Sequence, residues 1–155
     1  MNSDKPPSRR AGWWWVVLQA VLLLALVFAR AAPSLHAPLA AGWVVFGAGL
    51  AVFAAAFVAL GHAFTPNPMP KPDAALAVHS IYRFVRHPMY SAVMLCGLGW
   101  AAAFGGIWHY LLCAALLLFF WAKSRAEERW LAQQYPGYAQ YQRTVGRFVP
   151  RLRRH

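Results

Sequence analysis

The chain has 155 residues, 60% of them hydrophobic and only 12% charged, with fifteen Lys and Arg against four acids and a formal net charge of +11. A soluble domain of this size carries about 25% charged residues, so composition argues against a water-soluble globule. Such basicity would suit nucleic acid in a soluble protein, but its distribution accounts for it as membrane topology plus attraction to anionic headgroups, and nucleic-acid binding is not expected.

Three long runs carry no formal charge: Gly12 to Ala29, Ala37 to Thr65, and Tyr90 to Ala122. A spanning helix needs about 20 mostly apolar residues, so the first two runs predict one span each. The third predicts two short helices with Gly105-Gly106 as the turn. The reading is an all-α integral membrane protein, one domain over 1–155. Four transmembrane helices are expected, near 13–32, 38–64, 89–104 and 107–122, the last two a short hairpin.

In chain order, residues 1–11 read as a basic cytosolic tail. A cleaved signal peptide ending at Ala29-Arg30-Ala31 is the alternative for this end. The apolar run is longer than a signal core, and Trp13-Trp14-Trp15 at its head suits the interfacial belt of a retained helix. Residues 32–38 predict a short external loop. Prolines at 66, 68, 70 and 72 force Thr65 to Pro72 out of helix into extended chain, and 73–80 form a connector. Of the fifteen basic residues only Arg30 falls on the far side, which puts both termini and the 65–88 loop in the cytoplasm. Cys96 and Cys113 lie at similar distances from the glycine turn and are expected to face each other at one depth as free, apolar thiols. Beyond Ala122, residues 123–135 predict an amphipathic helix that either continues the fourth span or lies along the interface. Pro136-Gly137 breaks it, and Tyr138, Tyr141 and Val145 recur at helical spacing.

Two polar segments flank the third apolar run. The first is Tyr82-Arg83-Phe84-Val85-Arg86-His87-Pro88-Met89-Tyr90. Pro88 suits the first turn of a helix, whose free N–H groups favour an anion; by spacing alone, Arg86 and His87 serve equally well as interfacial anchors. The second contains Lys123, Glu127 and Glu128, the last two being the only acids after Asp73. Acids beside a membrane are costly and often functional, although pairing with Lys123 on a solvated face is the plainer account. Six histidines show no HxxxH or HExxH spacing, and neither a phosphate loop nor a GxSxG elbow is present; no metal site is expected.

Asn67-Pro68-Met69-Pro70, Ile81 through Tyr90, Glu127-Glu128-Arg129-Trp130-Leu131, Tyr135-Pro136-Gly137-Tyr138 with Tyr141, and Val145-Gly146-Arg147-Phe148-Val149-Pro150 occur in that order. The set resembles the isoprenylcysteine carboxyl methyltransferase family, whose relatives include phospholipid N-methyltransferases, over about residues 60–150. The resemblance implies a helical membrane core that takes S-adenosylmethionine from the cytosol, releases S-adenosylhomocysteine, and receives a lipophilic or lipid acceptor from the bilayer. It implies cofactor contacts at Asn67, Ala74, Ala75, Leu76, Ala77, Tyr82, His87, Pro88, Met89, Tyr90 and Glu127, with Glu128 as the alternative acid. Glu127, Lys123 and Arg86 are expected at the reacting end. Where relatives carry glycine this chain has Ser80 and Ala92, and where they often carry a substrate-side arginine it has Lys123. The implied activity is that of a membrane methyltransferase, probed against two alternatives: methylation of a phospholipid or other amine, and a non-catalytic protein of the same fold. High Ala, Trp and Arg usage points to a bacterial source, so the expected location is the bacterial inner membrane, with the site on the cytoplasmic side set by the basic residues.

Overall fold

The computed structural model describes residues 9–29, 39–61 and 76–151. Among them the chain is all helical: α1 (Arg9–Phe28), α2 (Leu39–Leu60), a 3₁₀ turn (Ser80–Arg83), α3 (Pro88–Phe104), α4 (Ile107–Gln134) and α5 (Tyr138–Thr144). The N-terminal tail, the external loop and the proline-rich stretch, with Asn67, Ala74 and Ala75, lie outside the described residues.

Two helices, Ala40–Leu60 and Ile107–Gln134, are long and apolar enough to cross a membrane; Gly12–Phe28 and Pro88–Phe104 are apolar but shorter. Trp14, Phe28, Val44, Val58 and Leu118 all point away from the protein. Outward-facing apolar surface on this scale is stable against lipid, not water.

Helix boundaries depart from the sequence expectation at α1 and α2. The first helix spans 9–28 in place of 13–32, so its tryptophans sit one turn inside: Trp13 and Trp14 face outward, while Trp15 turns in against Phe119, ring centroids 5.7 Å apart. α2 ends at Leu60, short of 64, because Gly61 follows at φ +49°, the left-handed conformation that stops helices. At the fourth helix the structure takes the first of the two courses expected for 123–135, continuation past Ala122. The helix runs as one 28-residue rod, about 42 Å long, joining apolar span to polar segment without a break.

α2 and α3 form the most extensive contact in the molecule, and small residues let their backbones meet. A Cβ on Gly42 would sit 2.6 Å from the Ala103 backbone nitrogen, and one on Gly49 would sit 2.6 Å from Cys96 Sγ. Ala92 is fully buried, its carbonyl opposite Gly49. The absent side chain of Gly49 thus leaves room for the backbone of α3 at Ala92. The expectation that Cys96 and Cys113 face each other fails. Cys96 turns to α2, with Sγ 3.7 Å from the Phe46 carbonyl, whereas Cys113 points at Gly97 on α3. Both are free thiols.

α1 packs chiefly on α4. The core lies between them and α3, where Leu26, Leu116, Phe119 and Phe120 are surrounded by Trp15, Leu22, Val93 and Phe148. Phe148, from the segment after α5, closes this core at the end where the polar residues gather.

Candidate functional site

The site begins at Pro88, which opens α3 at a position where a missing N–H costs nothing. His87, as the N-cap, leaves the helix at φ −125° and is held by its backbone: its N–H donates to the Arg147 carbonyl at 3.0 Å. Just upstream, Arg86 N–H donates to the Gly146 carbonyl at 2.8 Å, and Val85 and Gly146 form a β-bridge. Ser91 Oγ donates to the Phe148 carbonyl at 2.6 Å, and the Tyr141 hydroxyl donates to the Tyr82 carbonyl. The segment after α4 is therefore strapped along the motif by main-chain bonds.

Ions reinforce the strap. Glu128, 4% exposed, accepts from Arg86 (2.9 and 3.0 Å), from Arg147 (2.6 and 3.2 Å), from Gln142 Nε2 (2.9 Å) and from His87 Nε2 (3.1 Å). Arg86 gives its remaining donor to the carbonyls of Gln142 and Val145. The guanidinium expected at the reacting end is thus turned toward Glu128 and the tail. A buried carboxylate is tolerated when its lone pairs are filled this completely.

Glu127 has a different environment. It is half-buried, accepts from the Tyr90 hydroxyl at 2.5 Å, and lies 3.4 Å from His87 Nδ1. Adjacent helical residues point about 100° apart, so the two acids cannot share one pocket as equals. They share His87 instead, one at each ring nitrogen. Since both partners are acceptors, the arrangement calls for an imidazolium, which donates twice. Burial alone would lower the His87 pKa, but the hydrogen bonds and charges of Glu127 and Glu128 outweigh it and hold the value above the usual 6.5.

Aromatic rings stack over this pair. His87 and Tyr90 lie 5.4 Å apart at an interplanar angle of 3°, and Tyr90 and Phe120 lie 4.7 Å apart at 19°. Lys123, one turn before Glu127, is 2% exposed; its ammonium sits 5.2 Å from the Tyr90 ring centre and donates to Gln19 Oε1 of α1 at 2.8 Å. Tyr82 is buried, which pushes its hydroxyl pKa up. Pro88 is fully buried, and Met89, Leu76 and Ala77 are half-buried on the approach to the motif. The motif and the α4 residues thus come together at one end of the apolar helices.

Sequence reasoning missed three contributors. Arg147 stood in the closing motif but had no role assigned. Gln142 gave no signal on its own. Gln19 did: it is the one strongly polar side chain in the uncharged run of α1. Ser80, noted as a departure, lies at φ +51°, the left-handed conformation glycine adopts without cost.

The family model described as phospholipid methyltransferase matches residues 37–137. No curated protein matches the chain significantly. The chain belongs to the phospholipid methyltransferase family, to which the isoprenylcysteine carboxyl methyltransferases are related.

Proposed function

We propose that this member of the phospholipid methyltransferase family is an S-adenosylmethionine-dependent enzyme of the membrane that methylates a lipophilic acceptor at the cytosolic surface. The proposal includes four spans (α1 to α4), both termini in the cytoplasm, and the bacterial inner membrane as the location. The observation that carries it is the contrast between two adjacent acids. Glu128 has its lone pairs filled, whereas Glu127 has no Arg or Lys within ion-pair distance among the described residues.

The donor set fits the cofactor. S-adenosylmethionine supplies an electrophilic methyl on a sulfonium and carries an amino group; Glu127 is the acid with capacity left for such a cation. The Tyr138 hydroxyl adds a buried polar atom with no partner among the described residues, in the field of Glu128 and Arg86, as expected beside a polar guest. Tyr82, His87, Met89 and Tyr90 complete the cofactor surface, with Leu76, Ala77, Ala74, Ala75 and Asn67 on the connector side. Arg86 and Glu128 hold this surface rigid, since displacement chemistry depends mainly on positioning. Lys123 faces the acceptor. The stacked rings keep water from the reacting atoms, which favours loss of charge from the donor.

Two acceptor classes fit. A carboxylate, as in isoprenylcysteine, reacts as the anion and needs no base. An amine must lose a proton as the N–C bond forms, and Glu127 is the acid that would take it. The test is calorimetry with S-adenosylmethionine on the purified chain, followed by labelled cofactor on host membranes and identification of the labelled lipid. Saturable binding lost in Glu127→Ala and His87→Ala is expected. A wild type that binds no cofactor overturns the proposal.

A further inference from the structure

Lys123 is a buried cation without a counterion. Its ammonium has three donors, yet among the described residues it makes one hydrogen bond, to the neutral amide oxygen of Gln19, and otherwise rests on the faces of Tyr90 and Phe119. The nearest acid along the helix, Glu127, is engaged with Tyr90 and His87 and forms no ion pair with it. Aromatic faces and one amide offset the desolvation of an ammonium only in part. The wider charge count points the same way: Arg86, Arg147, Lys123 and the His87 imidazolium stand against Glu127 and Glu128, four cations to two acids. A cofactor bearing a sulfonium would add to that excess.

Gln19 comes from α1, which lies before the matched stretch of 37–137. α1 leans chiefly on α4, so its one polar side chain reaches Lys123 from a helix outside the motif-bearing segments. We infer that Lys123 and Gln19 together form a receptor for an oxyanion carried by the acceptor lipid, a phosphate or a carboxylate, with Gln19 as a specificity-determining residue. In the resting state Gln19 Oε1 holds the ammonium toward α1. An arriving oxyanion takes the ammonium and receives the Gln19 amide N–H₂ as a second donor. The acceptor is thereby anchored one helical turn from Glu127. This rests on the methyltransferase reading for its purpose, though the anion site itself does not.

The test uses the full chain in maltoside micelles, with dodecyl phosphate, dodecanoate and dodecyltrimethylammonium as probes, read by the shift in unfolding temperature. The anionic probes are expected to raise it in the wild type and the cationic one to leave it unchanged; whichever anion acts at lower concentration identifies phosphate or carboxylate. Gln19→Glu, which supplies a permanent counterion, is expected to weaken the anionic response roughly tenfold, the equivalent of one charge-assisted hydrogen bond, while calorimetric affinity for S-adenosylmethionine stays the same. Lys123→Met is expected to abolish the anionic response with cofactor affinity again unchanged, which covers the case in which Gln19→Glu does not fold. Equal shifts from all three probes, or an undiminished anionic response in both variants, overturns the inference. So does a Lys123→Met protein that keeps the anionic response and loses cofactor, since Lys123 then serves the cofactor carboxylate. A wild type that responds to anions but binds no S-adenosylmethionine supports this receptor and removes the methyltransferase reading instead.

Discussion

A carboxylate that accepts from two guanidiniums, an imidazolium and an amide holds those partners in place as much as they hold it. Replacing Glu128 by Gln leaves Arg86 and Arg147 buried against a neutral group, and breaking such a cluster costs about 3 kcal/mol. The expected outcome is a marked drop in unfolding temperature in micelles. Glu127→Gln, whose neighbour keeps the two guanidiniums paired, is expected to lower that temperature less than Glu128→Gln does and to lose cofactor binding in calorimetry. Ser80 offers a change of opposite sign. At φ +51° a side chain costs about 1 kcal/mol that glycine does not, so Ser80→Gly is expected to stabilise the chain by about that amount in the same melt. That Pro88 opens a helix was legible locally, whereas His87 and Glu127 had equally plain readings as an anchor and a solvated ion pair, and only the ordered set of motifs singled them out. The pairing of Lys123 with Gln19 was not legible, since 104 residues separate them and nothing in either helix names its partner.

At the scale of elements, α2 and α3 meet through backbone rather than side chains. A Cβ on Gly99 would overlap the Phe46 backbone nitrogen, and one on Gly49 would crowd Cys96. Overpacking at such a crossing costs about 1–3 kcal/mol. Gly99→Val is therefore expected to lower the unfolding temperature, and to weaken cofactor binding as well, because α3 begins at Pro88 and any tilt displaces the motif. Gly47 has open space around it, and Gly47→Val serves as the control with no loss of binding. The uncharged runs and the Gly105-Gly106 break located these helices from sequence. The end of α2 was less legible, since it stops at a glycine whose φ no pattern reveals; for α4 the pattern left two courses open, and contacts from Lys123 to α1 and from Glu127 to α3 accompany the continuous one.

Across the whole molecule, His87 joins α4 to the start of α3 and, through its backbone, to the segment carrying Arg147. Its folded pKa lies above the ordinary 6.5, so its contribution to stability is fully present below about pH 6.5 and is lost as pH rises through the folded value. The unfolding temperature is expected to fall on going from pH 6 to pH 9, with a smaller fall in His87→Asn; equal slopes in the two proteins would remove the assignment of an imidazolium.

The strap has a further meaning for how the protein is made. Residues 142–148 leave the ribosome only after α1 to α4. Until Arg147 emerges, Glu128 lacks a principal partner and His87 the carbonyl that seats it. Translation order therefore acts as a safety catch: a chain short of its last residues can carry every long helix yet lacks the clasp that draws their polar ends together.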